Sequence, residues 1–237
     1  NGLRSKSLKN LKYKKNAILL GGSVAWGFGA SSNENTPAYK LEEFLNSKYN
    51  FVFKNKLLEN KDLKNLRDYL KKSKAILIFP KIYEGSFLFG AKGGNGILLI
   101  RHYAGWSGPF YYSLGGASVG LQFGIKSGNV IMTVMSSRGL KSILNERIKL
   151  GVDIDAAVAD QGIGFSAEST LRLADIFSFS DNSGLFLGGS FEGSYLQPRN
   201  DLNRFLYNFE LTSDEILKSK KLHKVGINIS KTLNSLR

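Results

Sequence analysis

The chain has no cysteine among its 237 residues, only two histidines and only four prolines. Without cysteine there is no disulfide framework, no thiolate zinc site, no thiol nucleophile and no lipidated cysteine, so the folded part must be held by its apolar core. His102 stands between Arg101 and Tyr103 beside a strand, and His223 lies in a lysine-rich tail. Nucleophile and base pairings built on histidine are therefore thin. Nor is there an apolar run of the about 20 residues that a membrane-spanning helix needs. Acidic residues are missing from the first fifteen positions, which carry Arg4, Lys6, Lys9, Lys12, Lys14 and Lys15 ahead of an uncharged stretch from Asn16 to Ala30.

That beginning has the layout of a secretory signal peptide: a positive start, the apolar core Ala17-Ile18-Leu19-Leu20, and the small-residue exit Gly27-Phe28-Gly29-Ala30-Ser31. Residues 1–30 are expected to be a leader cleaved after Gly29 or Ser31, with the remainder exported to the periplasm or cell envelope. Removing the leader's six basic residues from 33 leaves 27 against 19 acidic ones, a net charge of +8. An excess of this sign favours anionic partners such as membrane headgroups, lipopolysaccharide, acidic polymers or nucleic acid, and export ranks nucleic acid last among them.

Composition shifts at Lys74. From Thr36 to Lys74 there is no glycine and one proline, and the stretch reads as helix. Thr36-Pro37 supplies a cap and a first-turn proline before Ala38, Leu41 and Leu45. A second helix over Asn60–Lys72 carries the stripe Leu63, Leu66, Leu70, with Lys64, Arg67 and Lys71 just beside it and Lys61 and Lys72 farther round. From Ala75 to Leu196 the period becomes two, as in Val119, Leu121, Phe123 and in Phe177, Phe179, which predicts half-buried strands. Gly93-Gly94-Asn95-Gly96, Gly115-Gly116 and Ser127-Gly128-Asn129 read as turns between short antiparallel strands. Ser137–Lys149 reads as a helix closed by Gly151, and the chain after Pro198 as helical, with Thr212 and Glu215 in capping-box spacing. The fold class is α+β, a glycine-rich antiparallel β-barrel with helices packed on its surface.

Few motifs carry chemistry. Gly116-Ala117-Ser118-Val119-Gly120 has nucleophile-elbow spacing, but strand alternation continues through Ser118 where the elbow needs a helix. Asp153, Asp155 and Asp160 fit a calcium loop poorly and read as solvated or turn-capping. No catalytic residue, metal ligand or cofactor is assigned. Trp106, flanked by loop formers, either plugs one end of the barrel or anchors at a membrane interface. The functional signal is basic: Lys61, Lys64, Arg67, Lys71, Lys72 and Lys74 from the helix, and Lys218, Lys220, Lys221 and Lys224 from the tail. With Trp106, these are the candidate lipid-binding residues.

Ala75-Ile76-Leu77-Ile78-Phe79-Pro80, Gly94-Asn95-Gly96-Ile97-Leu98, Trp106-Ser107-Gly108-Pro109-Phe110-Tyr111, Gly120-Leu121-Gln122-Phe123-Gly124 and the run Ser183–Gly193 resemble the SYLF domain, in order and spacing, over Leu57–Asn208. The Pro198–Tyr207 stretch is similar to the segment after the last strand in bacterial members. The resemblance implies a barrel with surface helices that binds phosphoinositides and other anionic lipids without catalysis. Its membrane-attachment helix corresponds to Asn60–Lys72. Some eukaryotic members bind actin, which is not expected as a partner of an exported chain; an envelope scaffold with a protein partner at the barrel end or tail is the alternative. The expected organisation is a leader at 1–30, a helical segment at 31–56, the SYLF-like barrel at 57–208 and a basic helical tail at 209–237.

Overall fold

The computed structural model describes residues 17–20, 23–26, 47–50, 52–59, 65–144, 147–158, 174–181, 193–207 and 212–236. The chain divides into two compact units, residues 1–48 and 49–237. In the first, β1 (Ala17–Leu20) pairs antiparallel with β2 (Ser23–Trp26), Ala17 opposite Trp26 and Leu20 opposite Ser23. The apolar run read as the heart of a leader thus forms one arm of a hairpin. The expected cleavage positions and the Thr36–Leu45 helix lie outside the described residues.

The second unit is organised by two strands of unusual length. β3 (Ala75–His102) has 28 residues and β4 (Gly105–Val134) has 30. They pair antiparallel from Ala75 opposite Val134 to His102 opposite Gly105, with register shifts between Phe79 and Ile82, Ser86 and Leu88, and Leu98 and Ile100. Laid flat, a strand of this length would span about 90 Å, against a radius of gyration of about 16 Å for a domain of this size. The ribbon must curl, and glycine lets it. A Cβ on Gly96 would stand 2.5 Å from the Phe79 ring and 2.6 Å from the Ile78 carbonyl oxygen, and one on Gly94 would collide with the Lys81 carbonyl. The second half of β3 therefore presses on its first half, and its ends meet where the Arg101 amide donates to the Lys74 carbonyl at 2.8 Å.

This corrects the sequence reading of the glycine clusters. Gly93 lies opposite Gly115, Lys92 opposite Gly116, and Tyr83 opposite Ser127, all inside one ladder. The residues expected to turn the chain instead bend a continuous strand, because a missing side chain serves either purpose. The tight connection is Tyr103-Ala104, which no glycine or asparagine pair announces.

The other edge of β4 takes two partners. β7 (Ile176–Ser180) pairs with Val130–Val134 and β8 (Tyr195–Pro198) with Tyr112–Gly115. β5 (Ile148–Lys149) extends the sheet from β8, and β6 (Ala156–Val158) runs parallel beside β7. The result is a curled, half-barrel sheet with helices around it, the α+β class expected. β7 alternates serine and phenylalanine, yet all five residues are buried rather than one face. Phe177 and Phe179 meet the Tyr69 ring at 4.6 and 5.2 Å, while the Ser178 hydroxyl donates to the Ala157 carbonyl under β6. Alternation marks the two faces correctly; tertiary packing covers both.

Helix boundaries also shift. α1 (Leu66–Lys72) buries Leu66, Tyr69 and Leu70. α2 (Ser137–Ile143) is capped by the Ser136 hydroxyl, which accepts from the Gly139 amide at 2.8 Å. It stops well short of Lys149, because Ile148 is drawn into the sheet opposite Leu196. After β8, α3 (Asn200–Tyr207) docks by Asn203, whose amide group bonds both backbone groups of Tyr111, and by the Tyr207 hydroxyl, which donates to the Pro109 carbonyl at 3.0 Å. α4 (Ser213–Lys218) begins with the expected capping box between Thr212 and Glu215, and α5 (Ile227–Asn234) buries Ile229 and Leu233.

Candidate functional site

Three segments distant in sequence converge at the end of the β3–β4 hairpin, and Arg101 joins two of them. Its Nε donates to the Ser73 carbonyl at 2.7 Å and its Nη2 to the Leu70 carbonyl at 2.5 Å. These carbonyls lie in the last turn of α1 and just beyond it, where backbone acceptors have no intrahelical partner. The guanidinium also lies 4.3 Å over the Trp106 ring. Lys74 then threads between the strand ends, its amide donating to Val134 and its carbonyl accepting from Arg101.

The third segment is the tail. The Gly108 amide donates to the Lys221 carbonyl at 3.0 Å, and the His223 amide donates to the Gly108 carbonyl at 2.8 Å, so Leu222 forms a short parallel bridge to β4. His102 adds a second tie. Its Nε2 is 2.7 Å from the Ser107 hydroxyl, and the ring also makes a backbone hydrogen bond to Ser219. Burial and then the Lys220 charge hold this imidazole below its ordinary value, against the opposing pull of the Ser219 bond.

Arg67, Lys71, Lys72 and Lys74 are exposed on and after α1, and Lys218, Lys220, Lys221 and Lys224 are exposed along the tail. Helix end and tail are thus tied to one hairpin end, whose tip residue Tyr103 is fully exposed. Lys61 and Lys64 lie outside the described residues. Trp106 is 4% exposed, so of its two readings the structure has the plug: the ring is sandwiched beneath Arg101 rather than projecting as an anchor. Sequence reasoning passed over Arg101 and Tyr103. Arg101 gives no local signal, because its partners lie about thirty positions earlier; Tyr103 would have stood out had Tyr103-Ala104 been recognised as the turn.

The remaining motifs dissolve into structure. Ser118 lies in the ladder opposite Gly90. Asp153 accepts from the Lys149 amide at 2.6 Å within a tight turn, and Asp155 pairs with Arg138 at 2.8 Å; Asp160 is outside the described residues. Among the described residues no three histidine, aspartate or glutamate side chains gather as a metal site, and no helix is long and apolar enough to cross a membrane.

Comparison with known proteins adds the family. Residues 115–234, just over half of the chain and reaching through the tail, match the Ysc84 family, described as "Las17-binding protein actin regulator". The chain is 31% identical over 149 residues to SH3 domain-containing protein PJ696.02 of Schizosaccharomyces pombe, which covers 61% of this chain and 35% of that protein. It is 29% identical over 158 residues to LAS seventeen-binding protein 3 of Saccharomyces cerevisiae, covering 65% and 34%. Against SH3 domain-containing YSC84-like protein 1 of Bos taurus it is 31% identical over 151 residues, covering 62% and 44%. The aligned region is thus less than half of each of these relatives. With its family match and its curled glycine-rich strand pair, the chain belongs to the Ysc84 family of SYLF-domain proteins.

Proposed function

We propose that this chain binds anionic phospholipid at a membrane surface, through the basic end of the β3–β4 hairpin and without catalysis. The observation that carries the reading is the convergence itself. α1 brings Lys71, Lys72 and Lys74, and the tail brings Lys220 and Lys221, to a hairpin end whose tip is Tyr103. Each positive side chain near an anionic surface contributes about 1 kcal/mol, falling off within a Debye length. Five such charges support measurable adsorption, and an exposed tyrosine suits the headgroup layer, with an apolar ring and a polar tip. Phosphoinositide-like headgroups are the finer proposal, since clustered phosphates engage several lysines at once. The cell envelope of an exporting cell is the proposed location.

Sedimentation with vesicles tests this. Binding is expected to vesicles containing acidic phospholipid, to be weak on purely zwitterionic ones, and to fall as salt shortens the Debye length toward ~3 Å at 1 M. Changing Lys64, Arg67 and Lys71 together to glutamate is expected to remove most of it while leaving circular dichroism unchanged. Equal binding by that variant would take α1 out of the lipid site and leave the Lys218–Lys224 tail. Equal binding to zwitterionic vesicles would overturn the reading.

A second reading is favoured by the names of the family and its relatives. The family description and the yeast relative both specify Las17 binding, so a protein partner held at the hairpin end or tail is the alternative. Charge-dependent sedimentation of the purified chain, with no other protein present, separates the two.

A further inference from the structure

Along β4 from the hairpin end, one row of the sheet crosses four strands: Lys149 on β5, Tyr195 on β8, Gly115 on β4 and Gly93 on β3. Residues paired in register point to the same face of a sheet, so this row and the alternate rows beside it make one surface. We infer that this surface binds an acidic polysaccharide, a run of uronate sugars lying flat across the strands. The inference stands apart from the lipid reading and uses none of its residues.

The charge comes from two cations on one ring. The Arg147 guanidinium lies 3.8 Å over Tyr195, and the Lys149 ammonium is 5.8 Å from the same centroid. Lys149 leans toward Gly193, its Cε 3.9 Å from where a Cβ there would stand. Arg147 continues the register of β5 toward Gln197, so the two charges flank the ring along the strand. Neither has a carboxylate partner among the described residues. Asp153, the nearest described acid in sequence, accepts from the Lys149 main-chain amide, and Asp201 is taken by Arg199. The ring thus holds two positive charges in place, and their complement has to come from outside the chain.

The rest of the face decides what carries that complement. One row on from Tyr195 stand Gln197, Ser113 and Asn95, two amides and a hydroxyl. Asn95 and Gln197 are exposed. The Asn95 Oδ1 accepts from Arg199 at 2.9 Å, which leaves both of its N–H groups to donate. Above the glycines the main chain is bare: a Cβ on Gly115 would meet nothing within 4 Å, and one on Gly93 only the Leu114 carbonyl oxygen at 3.4 Å. Tyr195 apart, these two rows carry no large apolar side chain, which disfavours a buried protein interface and insertion into a bilayer. With a cation on either side, Tyr195 offers no free ring face for stacking the bases of a single strand. Sugars meet each demand. Their hydroxyls pair with amides and a hydroxyl, their flat rings rest on bare glycine backbone, and their carboxylates take Arg147 through two parallel bonds and Lys149 through one.

Titration of the isotope-labelled chain with tetragalacturonate tests this. The Gly93, Gly115, Tyr195 and Gln197 amides are expected to shift, with an affinity of about millimolar, while the Gly108 and His223 amides at the hairpin end stay in place. The fully methyl-esterified tetrasaccharide, the same sugar without its charges, is expected not to bind. Arg147→Gln combined with Lys149→Gln is expected to weaken binding about tenfold and to keep sedimentation with anionic vesicles. Gly115→Thr puts a side chain suited to a strand into empty space. It is expected to leave the melting temperature unchanged or higher and to abolish binding, because the glycine floor is then filled. No shift with tetragalacturonate, or equal binding by the ester or by either variant, would overturn the inference. So would larger shifts of the same amides with tetraglutamate or an oligothymidylate, which would give the face to an acidic peptide or to nucleic acid. Loss of vesicle sedimentation in the double variant would give it to the membrane instead. Should the unaltered chain fail to sediment with any vesicle, the lipid reading falls and the titration still decides this one.

Discussion

Asn203 offers the sharpest test of how α3 is held to the sheet. Its side chain is 3% exposed, and its Oδ1 accepts from the Tyr111 amide at 2.6 Å while its Nδ2 donates to the Tyr111 carbonyl at 3.1 Å. The side chain thus stands in for a strand at that point of β4. Asn203→Leu would bury the Tyr111 amide without an acceptor, at about 1–3 kcal/mol. The carbonyl keeps a bond from the Arg199 amide at 2.8 Å, so its loss is smaller, about 1 kcal/mol. The expected total is about 2–4 kcal/mol, or about 5–15 °C in melting temperature for a domain of this size. Asn203→Asp makes the test more specific. A carboxylate there keeps the acceptor, loses the donor and faces the Tyr111 carbonyl, so burial and repulsion raise its folded pKa above the about 3.9 of an unfolded aspartate. The folded state then holds the proton more tightly, and stability falls as pH rises above that value. Urea melts from pH 4 to 7.5 are expected to show the gap between Asn203→Asp and the unaltered chain widening with pH, with Asn203→Leu offset by a constant amount. A leucine variant within 0.5 kcal/mol of the parent, or an aspartate variant with no pH slope, would refute the reasoning.

Other outcomes follow from the same structure. Gly96→Ala puts a methyl into the Phe79 ring and the Ile78 carbonyl and is expected to cost about 3 kcal/mol, read by urea melts; a neutral result would mean that β3 does not press on itself there. Arg101→Met removes two charge-assisted bonds to carbonyls and is expected to cost about 2–4 kcal/mol and to weaken vesicle binding, because α1 loses its clamp; unchanged amide exchange in α1 would contradict this. Ser118→Ala is expected to leave vesicle binding intact, and an esterase activity abolished by that change would reverse the non-enzyme reading. On the proposal that the chain is exported and processed, N-terminal sequencing of the secreted product is expected to begin between Ala30 and Ser32, and retention of Leu3–Lys15 would exclude processing there.

What could be read from the residues and what could not separates along one line, the reach of the interaction. The Thr212–Glu215 capping box spans three positions, and it forms as written. The Leu66 and Leu70 stripe is local too, and both side chains are buried; Tyr69 joins them only because Phe177 and Phe179, more than a hundred positions later, supply a surface for its ring. The end of α2 depended on Leu196, and the fate of Trp106 on Arg101. The glycine clusters failed for another reason. A glycine that turns a chain and a glycine that lets two backbones touch look the same in sequence, and only the partner strand distinguishes them. At the site, the lysines were legible as a set because charge needs no partner to be noticed. Their assembly at one end was not, because carbonyls and amides of the main chain do the assembling.

The long strand pair also behaves as a reading frame. Side chains alternate between faces with a period of two, so inserting or deleting one residue in β3 would exchange inside for outside at every position from there to the next irregularity. The three register shifts divide the ladder into short phrases, and each can absorb one extra residue as a bulge before the pairing resumes in step. Length variation in such a ribbon is therefore tolerable at those three places and at Tyr103-Ala104. A single-residue change of length within Ile97–Leu98 or Ile131–Val134 would instead turn buried branched side chains out to water and draw their neighbours in.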